Sequence, residues 1–240
     1  MIYLYDGSFE GIMTCIFYGY SVLNKLVDIQ VDKGQMSLID EMVKITTEAD
    51  KSDRIVRYLI DKFGYEFFMS VYYVYLSSSK TKEISMIRTI FLGRDIGSEI
   101  IHSRQDDVVE FMKNRGYVSN ESHFYLGLLR FTELKDGLLY AQFEPENNIL
   151  PIIMGHFKNR LGDRPFIIHD MKRHILGVYE NEISFVSDEG LDIRLEEIDD
   201  VYESLWKVFH TSIAIENMIN PKLQSSNLPK KYWKYMTEMK

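Results

Sequence analysis

The spacing of apolar residues changes near the middle of this chain, and that change limits the fold more than any single motif does. In the first half Phe9, Ile12, Met13, Ile16, Phe17 and Tyr20 recur at short helical steps, as do Ile55, Val56, Leu59, Ile60 and Phe63. Such steps place side chains on one face of an α-helix. In the second half the apolar residues gather instead into short runs over 126–134, 138–143, 166–169, 175–179 and 183–186. Lys135-Asp136-Gly137 separates the first two runs, and Asp-Gly between such runs predicts a β-hairpin. Pro145 ends the second run, and Pro151, suited to a first helical turn, opens a helix through His156 to Leu161. The order strand, strand, helix, strand, strand, strand predicts a mostly antiparallel sheet with a helix packed on one face. The expectation is therefore an α+β fold. Residues 1–120 form a mainly helical subdomain with one short N-terminal strand, and 121–240 an α+β subdomain with a basic-aromatic tail; the alternative is one compact unit.

Finer signals place the elements. Ile2-Tyr3-Leu4-Tyr5 predicts a strand, Asp6-Gly7 a turn, and Ser8 the cap of the first helix. Residues 27–49 carry weak periodicity and leave strand, hairpin and loop open. Asp50 or Ser52 is expected to cap the next helix, which Gly64 ends. Further helical faces are Phe68, Met69, Tyr72 and Leu76, then Ile84, Ile87, Ile90 and Phe91. Val108, Phe111 and Met112 predict another helix, stopped near Gly116. Ile198, Val201, Tyr202, Leu205 and Phe209 predict a final one, stopped by Asn220-Pro221. The aromatic stripes of the first half are explained by packing.

The residue inventory excludes several classes. The longest apolar runs, such as 67–76, fall far short of the roughly 20 residues that span a bilayer, so no membrane span is expected. MIYLYDGSFE lacks the basic flank, apolar stretch and small-residue cleavage site of an export signal, and the expected location is cytoplasmic. Cys15 is the only cysteine. It allows no intramolecular disulfide, no four-cysteine iron–sulfur cluster and no three-thiolate radical S-adenosylmethionine site, and its apolar stripe favours a buried thiol. There is no GxxxxGK[ST] loop, no HExxH and no glycine-rich dinucleotide fingerprint, so no cofactor is expected in this chain. The net charge of -8 argues against coating nucleic acid by bulk attraction. The sign is uneven, however. Residues 180–203 hold ten acidic side chains against Arg194, whereas 156–174 hold five Lys and Arg against two Asp.

Candidate chemistry lies in the second half. His156 and Arg160, four apart, share a helix face and offer a phosphate or acidic-partner contact. His169-Asp170, near a strand end and followed by Lys172 and Arg173, offers a general base, a ligand-positioning pair or a turn. Adjacent strand residues face opposite ways, so the two cooperate only if the strand has already broken. Arg130 and Glu133 flank the first hairpin strand and offer a cross-strand ion pair. Glu144, His156, His169 and Asp170 match no metal-ligand signature, and no metal is expected. In the tail, Lys230, Lys231, Tyr232, Trp233, Lys234 and Tyr235 interleave cations with rings, which suits nucleic acid or packing onto the core.

Several segments carry a family resemblance: YDGSFEG (5–11), LLRFTELKDGLLYAQFEPENNILPIIMGHF (128–157), FIIHDMKR (166–173), LWKVFHTSIAI (205–215), NPKLQ (220–224) and LPKKYWKYMTE (228–238). Together they resemble a bacterial family of probable DNA metabolism or repair proteins of unknown function. The resemblance covers essentially the whole chain. Members of that family are encoded beside a putative radical S-adenosylmethionine DNA-modification or repair protein, and some are fused to a uracil-DNA-glycosylase-like domain. The polar positions that coincide are Asp6, Arg130, Glu133, Lys135, His156, Arg160, His169, Asp170, Arg173, Asn220, Gln224, Trp233 and Glu238. Met218 stands where the family usually has an arginine, two residues before Asn220.

The resemblance implies an accessory protein in DNA repair or modification. On that account Arg130, Glu133, His156, Arg160, Lys172, Arg173, Asn220, Gln224, Lys230, Lys231 and Trp233 contact DNA or a radical S-adenosylmethionine partner. The alternatives are a DNA-directed hydrolase using His169 and Asp170, favoured by a pocket containing both, and a non-catalytic interaction scaffold.

Overall fold

The computed structural model describes residues 1–34, 41–134 and 137–188. The chain divides into two compact units, and among the described residues the first runs to Asn120 and the second starts at Glu121.

In the first unit the chain enters through β1 (Ile2–Tyr5), turns into α1 (Phe9–Gly19), and continues through β2 (Asp28–Val31) and β3 (Met42–Lys44). The strands form one sheet in the order β2-β1-β3, both neighbours lying parallel to β1. Parallel neighbours need a crossover, which α1 supplies between β1 and β2. The expected single strand thus has two short partners in the segment whose periodicity was weak. The Asp6–Gly11 motif builds the turn between β1 and α1. Ser8 caps α1 by accepting from the Gly11 amide, and Asp6 accepts from the Ser8 amide and hydroxyl and from Thr47 Oγ1.

Four helices follow: α2 (Ala49–Phe63), α3 (Tyr65–Leu76), α4 (Lys82–Leu92) and α5 (Asp106–Leu128). Glu48, rather than Asp50 or Ser52, takes the N-cap position of α2, with Ser52 buried within the helix. Phe9 lies at the centre of this core, edge-on to Phe68 at 6.2 Å, Tyr72 at 5.6 Å and Tyr75 at 5.2 Å. Burying an aromatic of this size contributes about 1.5–3 kcal/mol. Cys15 is buried as expected, and burial, with Asp6 and Glu83 adding, pushes its thiol well up.

Helix α5 corrects the expected stop at Gly116. It runs on to Leu128, and an interior glycine costs only about 1 kcal/mol, less than buried Val108, Phe111 and Val118 return. The first hairpin strand is shortened accordingly, because 126–128 are helical. What remains is β4 (Thr132–Glu133), paired antiparallel with β5 (Leu139–Phe143).

The second unit then adds α6 (Leu150–Leu161), β6 (Phe166–Asp170), β7 (Ile175–Tyr179) and β8 (Ile183–Ser187). The sheet order is β4-β5-β6-β7-β8. Only β5 and β6 are parallel, because α6 crosses between them; the other pairings are antiparallel. The α+β architecture is thus observed. Helix α6 packs close over β7, where a Cβ on Gly177 would lie 2.7 Å from Met154 Sδ and 3.0 Å from Leu150 Cδ1. Register places Ile168 and Asp170 on the same sheet face as Gly177, and His169, Leu176 and Val178 on the other. Among the described residues no helix is long and apolar enough to cross a membrane. The predicted final helix lies outside the described residues.

Candidate functional site

Strand β6 continues through Asp170, so His169 and Asp170 turn to opposite faces of an unbroken strand. His169 is 1% exposed. Its Nδ1 lies 2.9 Å from the Tyr140 hydroxyl, and its Nε2 lies 2.9 Å from Asp188 Oδ2. Tyr140 comes from β5 and Asp188 follows β8, so the chain of contacts crosses the sheet face from β5 to β8. Asp188 Oδ2 also lies 3.2 Å from Nδ1 of His174, an exposed residue held at a φ of 56° in the turn between β6 and β7.

The protonation states follow from the partners. A carboxylate at Nε2 requires N–H there, which leaves Nδ1 to accept from the phenol. Burial holds His169 below its ordinary value, against the opposing pull of Asp188, so the neutral ring is favoured. Tyr140 is pushed up to about 12, by burial and then by Asp188. The order hydroxyl, imidazole, carboxylate is that of a nucleophile, its base and an orienting group. Here, however, the phenol is made harder to ionise. The network fixes Tyr140 in place.

Asp170 is fully buried and does different work. Its Oδ1 accepts from the amides of Lys172 and Arg173, each at 3.1 Å, and Oδ2 accepts from the Arg173 guanidinium at 3.0 Å. Arg173 also donates to the carbonyls of Pro145 at 3.1 Å and of Glu146. Burial raises the Asp170 carboxyl, with Arg173 opposing. The pair thus fastens the β6–β7 turn to the segment after β5.

The other predicted residues are placed as follows. Lys172 pairs with Glu146 at 2.7 Å, and Glu133 pairs with Arg164 at 2.9 Å instead of Arg130. Arg130 donates to Gly127 O at 2.7 Å and Leu129 O at 3.2 Å, while Arg160 reaches Leu126 O at 3.5 Å. Both cations therefore meet the carboxyl end of α5, where the helix dipole favours them. His156 is exposed one turn from Arg160 on α6. Among the described residues no three His, Cys, Asp or Glu come together to hold a metal, so Glu144, His156, His169 and Asp170 form no such site. Lys135, Asn220, Gln224, Lys230, Lys231, Trp233 and Glu238, with Met218, lie outside the described residues.

Beside β5 lies a cavity of about 360 Å³ lined by Arg130, Thr132, Tyr140 and Gln142, with Tyr125 and leucines around them. Tyr140 and Gln142 share the β5 face that His169 continues, since Gln142 is opposite His169 in register. His169 and Asp170 themselves do not line it. Sequence reasoning missed Tyr140, Gln142 and Asp188. The available signal was the two-residue period from Tyr140 to Gln142 in the run before Pro145; Asp188 is hidden within the acidic stretch.

The DUF4130 family model, described as a domain of unknown function, matches residues 80–238. The chain belongs to the DUF4130 family. Its DUF4130 region contains α4 to β8 and the whole Tyr140–His169–Asp188 network, whereas β1 to β3 and α1 to α3 precede it. No curated protein matches the sequence.

Proposed function

We propose that this chain is a cytoplasmic accessory protein of DNA repair or modification, positioning DNA or a radical S-adenosylmethionine enzyme that carries out the chemistry. The DNA context comes from the sequence resemblance. The observation that supports an accessory over a hydrolytic role is that His169 and Asp170 point apart, each buried with its polar atoms committed within the protein. A general base must come within about 2.6–3.2 Å of the proton it takes, or reach it through one water, and both His169 nitrogens are already occupied. Exposed Arg130, which lines the cavity, and exposed Arg160, at the same helix end, are the proposed phosphate contacts.

A second reading keeps the hydrolase, with Tyr140 as the hydroxyl and His169 as its base. The order of the three groups favours it, and the raised Tyr140 opposes it.

The test is binding to matched single- and double-stranded DNA at two salt concentrations, with the DNA recovered and checked for cleavage. The expected result is salt-sensitive binding, weakened in Arg130→Glu/Arg160→Glu, with the DNA intact. Cleavage lost in both Tyr140→Phe and His169→Gln would establish the hydrolase instead. No binding at either salt would reject autonomous DNA recognition.

A further inference from the structure

The first unit holds a second cavity, of about 560 Å³, bounded by the carboxyl ends of α1 and α4 and by α2. That volume is within the range of small-molecule sites. Its walls are unusual for this unit. Phe9, Phe68 and Tyr72 are consumed in the core, but Phe17, Tyr20, Tyr58 and Phe91 line this opening together with Arg54 and Arg94. Tyr20 is 63% exposed, and its ring lies 5.6 Å from that of Phe91.

The two arginines differ in what already holds them. Arg94 donates to Asp95 at 3.3 Å and to the Tyr20 hydroxyl at 3.5 Å. Arg54 is exposed, lies 5.6 Å from the centre of the Phe17 ring, and among the described residues forms no hydrogen bond or ion pair. A purely apolar ligand would give that guanidinium nothing to bind, and a bare anion would leave the rings unused. Guanidinium groups pair with phosphate or carboxylate while stacking on rings, and aromatic side chains stack on any planar base. The carboxyl ends of α1 and α4 carry partial negative charge, so an anion belongs with Arg54 on α2.

We infer that this cavity binds a planar aromatic ring bearing an anionic group, of the nucleoside monophosphate class. The ring stacks on Tyr20 or Tyr58, and the phosphate meets Arg54. A free mononucleotide and the 5′-terminal nucleotide of a DNA strand present the same chemistry. The inference stands apart from the accessory reading, whose phosphate contacts are Arg130 and Arg160.

Calorimetric titration of the full chain tests it, with AMP, adenosine, inorganic phosphate and a 5′-phosphorylated oligo-dA as probes. Saturable binding of AMP or of the oligonucleotide is expected, with adenosine and inorganic phosphate at least about tenfold weaker. Arg54→Gln and Tyr20→Ser, both surface changes checked by unaltered thermal unfolding, should each weaken binding by about tenfold or more. AMP binding identifies a free nucleotide site; binding of the oligonucleotide alone identifies a strand terminus. Absence of binding by both probes, adenosine binding as tightly as AMP, or variants that bind like the wild type would overturn the inference. Arg130→Glu/Arg160→Glu should leave this binding unchanged, which separates its failure from that of the accessory reading.

Discussion

Each unit buries a tyrosine near a carboxylate, and in the second that tyrosine lines a cavity. In the first, the Tyr5 hydroxyl donates directly to Glu83 at 3.0 Å, and both residues are closed off from solvent. Burial raises the Glu83 carboxyl above its usual range, against the pull of neighbouring Lys82. In the second, an imidazole stands between Tyr140 and Asp188. The inserted ring lets the carboxylate come from the far side of the sheet while the phenol lies along the cavity by β5. A direct pair makes a sealed core contact; the longer chain carries a fixed polar wall across three strand spacings.

Substitutions can break or sharpen that contrast. The largest effect is expected from Asp170→Ala, which leaves Arg173 and the turn amides without their acceptor and should destabilise the second unit by about 3–5 kcal/mol in chemical denaturation. Glu83→Gln, by contrast, keeps an acceptor for Tyr5 and removes a desolvated charge, so it should change stability by less than about 1 kcal/mol. Equal losses in these two variants would mean that the first unit's carboxylate is as tightly integrated as the second's. Next in size, Tyr5→Phe removes a donor to a buried carboxylate and should cost about 2 kcal/mol, whereas Tyr140→Phe should cost about 1 kcal/mol. The reverse order would undo the distinction between a sealed pair and a relay.

The pH responses should have opposite signs. His169 is depressed on folding, so its contribution is present above about pH 6.5 and lost as pH falls toward its lower folded value. Glu83 is raised on folding, so its contribution is present below about pH 4.5 and lost as pH rises through its folded value. Amide hydrogen exchange followed in each unit should show these trends, with His169→Gln and Glu83→Gln each flattening its own. Ser8→Ala, which loses the α1 cap, should cost about 1 kcal/mol, and the smallest effect, under about 0.5 kcal/mol, is expected for Lys172→Ala, whose partner Glu146 is well exposed.

Much of the fold was legible because it rests on local chemistry. Ser8 caps its helix, Gly137 takes the left-handed conformation that the Asp-Gly signal called for, and β7 covers the predicted run. His156 and Arg160 do lie on one helix, one turn apart along α6. Strands β2 and β3 were not legible, since strands of four and three residues carry too little alternation and are defined by pairing with β1. Nor was the continuation of α5 through Gly116, which packing rather than propensity decides. The site was half legible. His169 and Asp170 were found, and the alternation of a strand anticipated their separation, but only register and long-range contact join His169 to Tyr140 and Asp188.

The central claim is that His169 is a fixed link and not a working base. Nitrogen-15 NMR of the histidine side chains, followed from pH 8 to about pH 5.5, tests it most directly. The account predicts a neutral His169 with the proton on Nε2 that charges only below its ordinary range. A ring that titrates at or above about 6.5, or that carries its neutral-form proton on Nδ1, would contradict it.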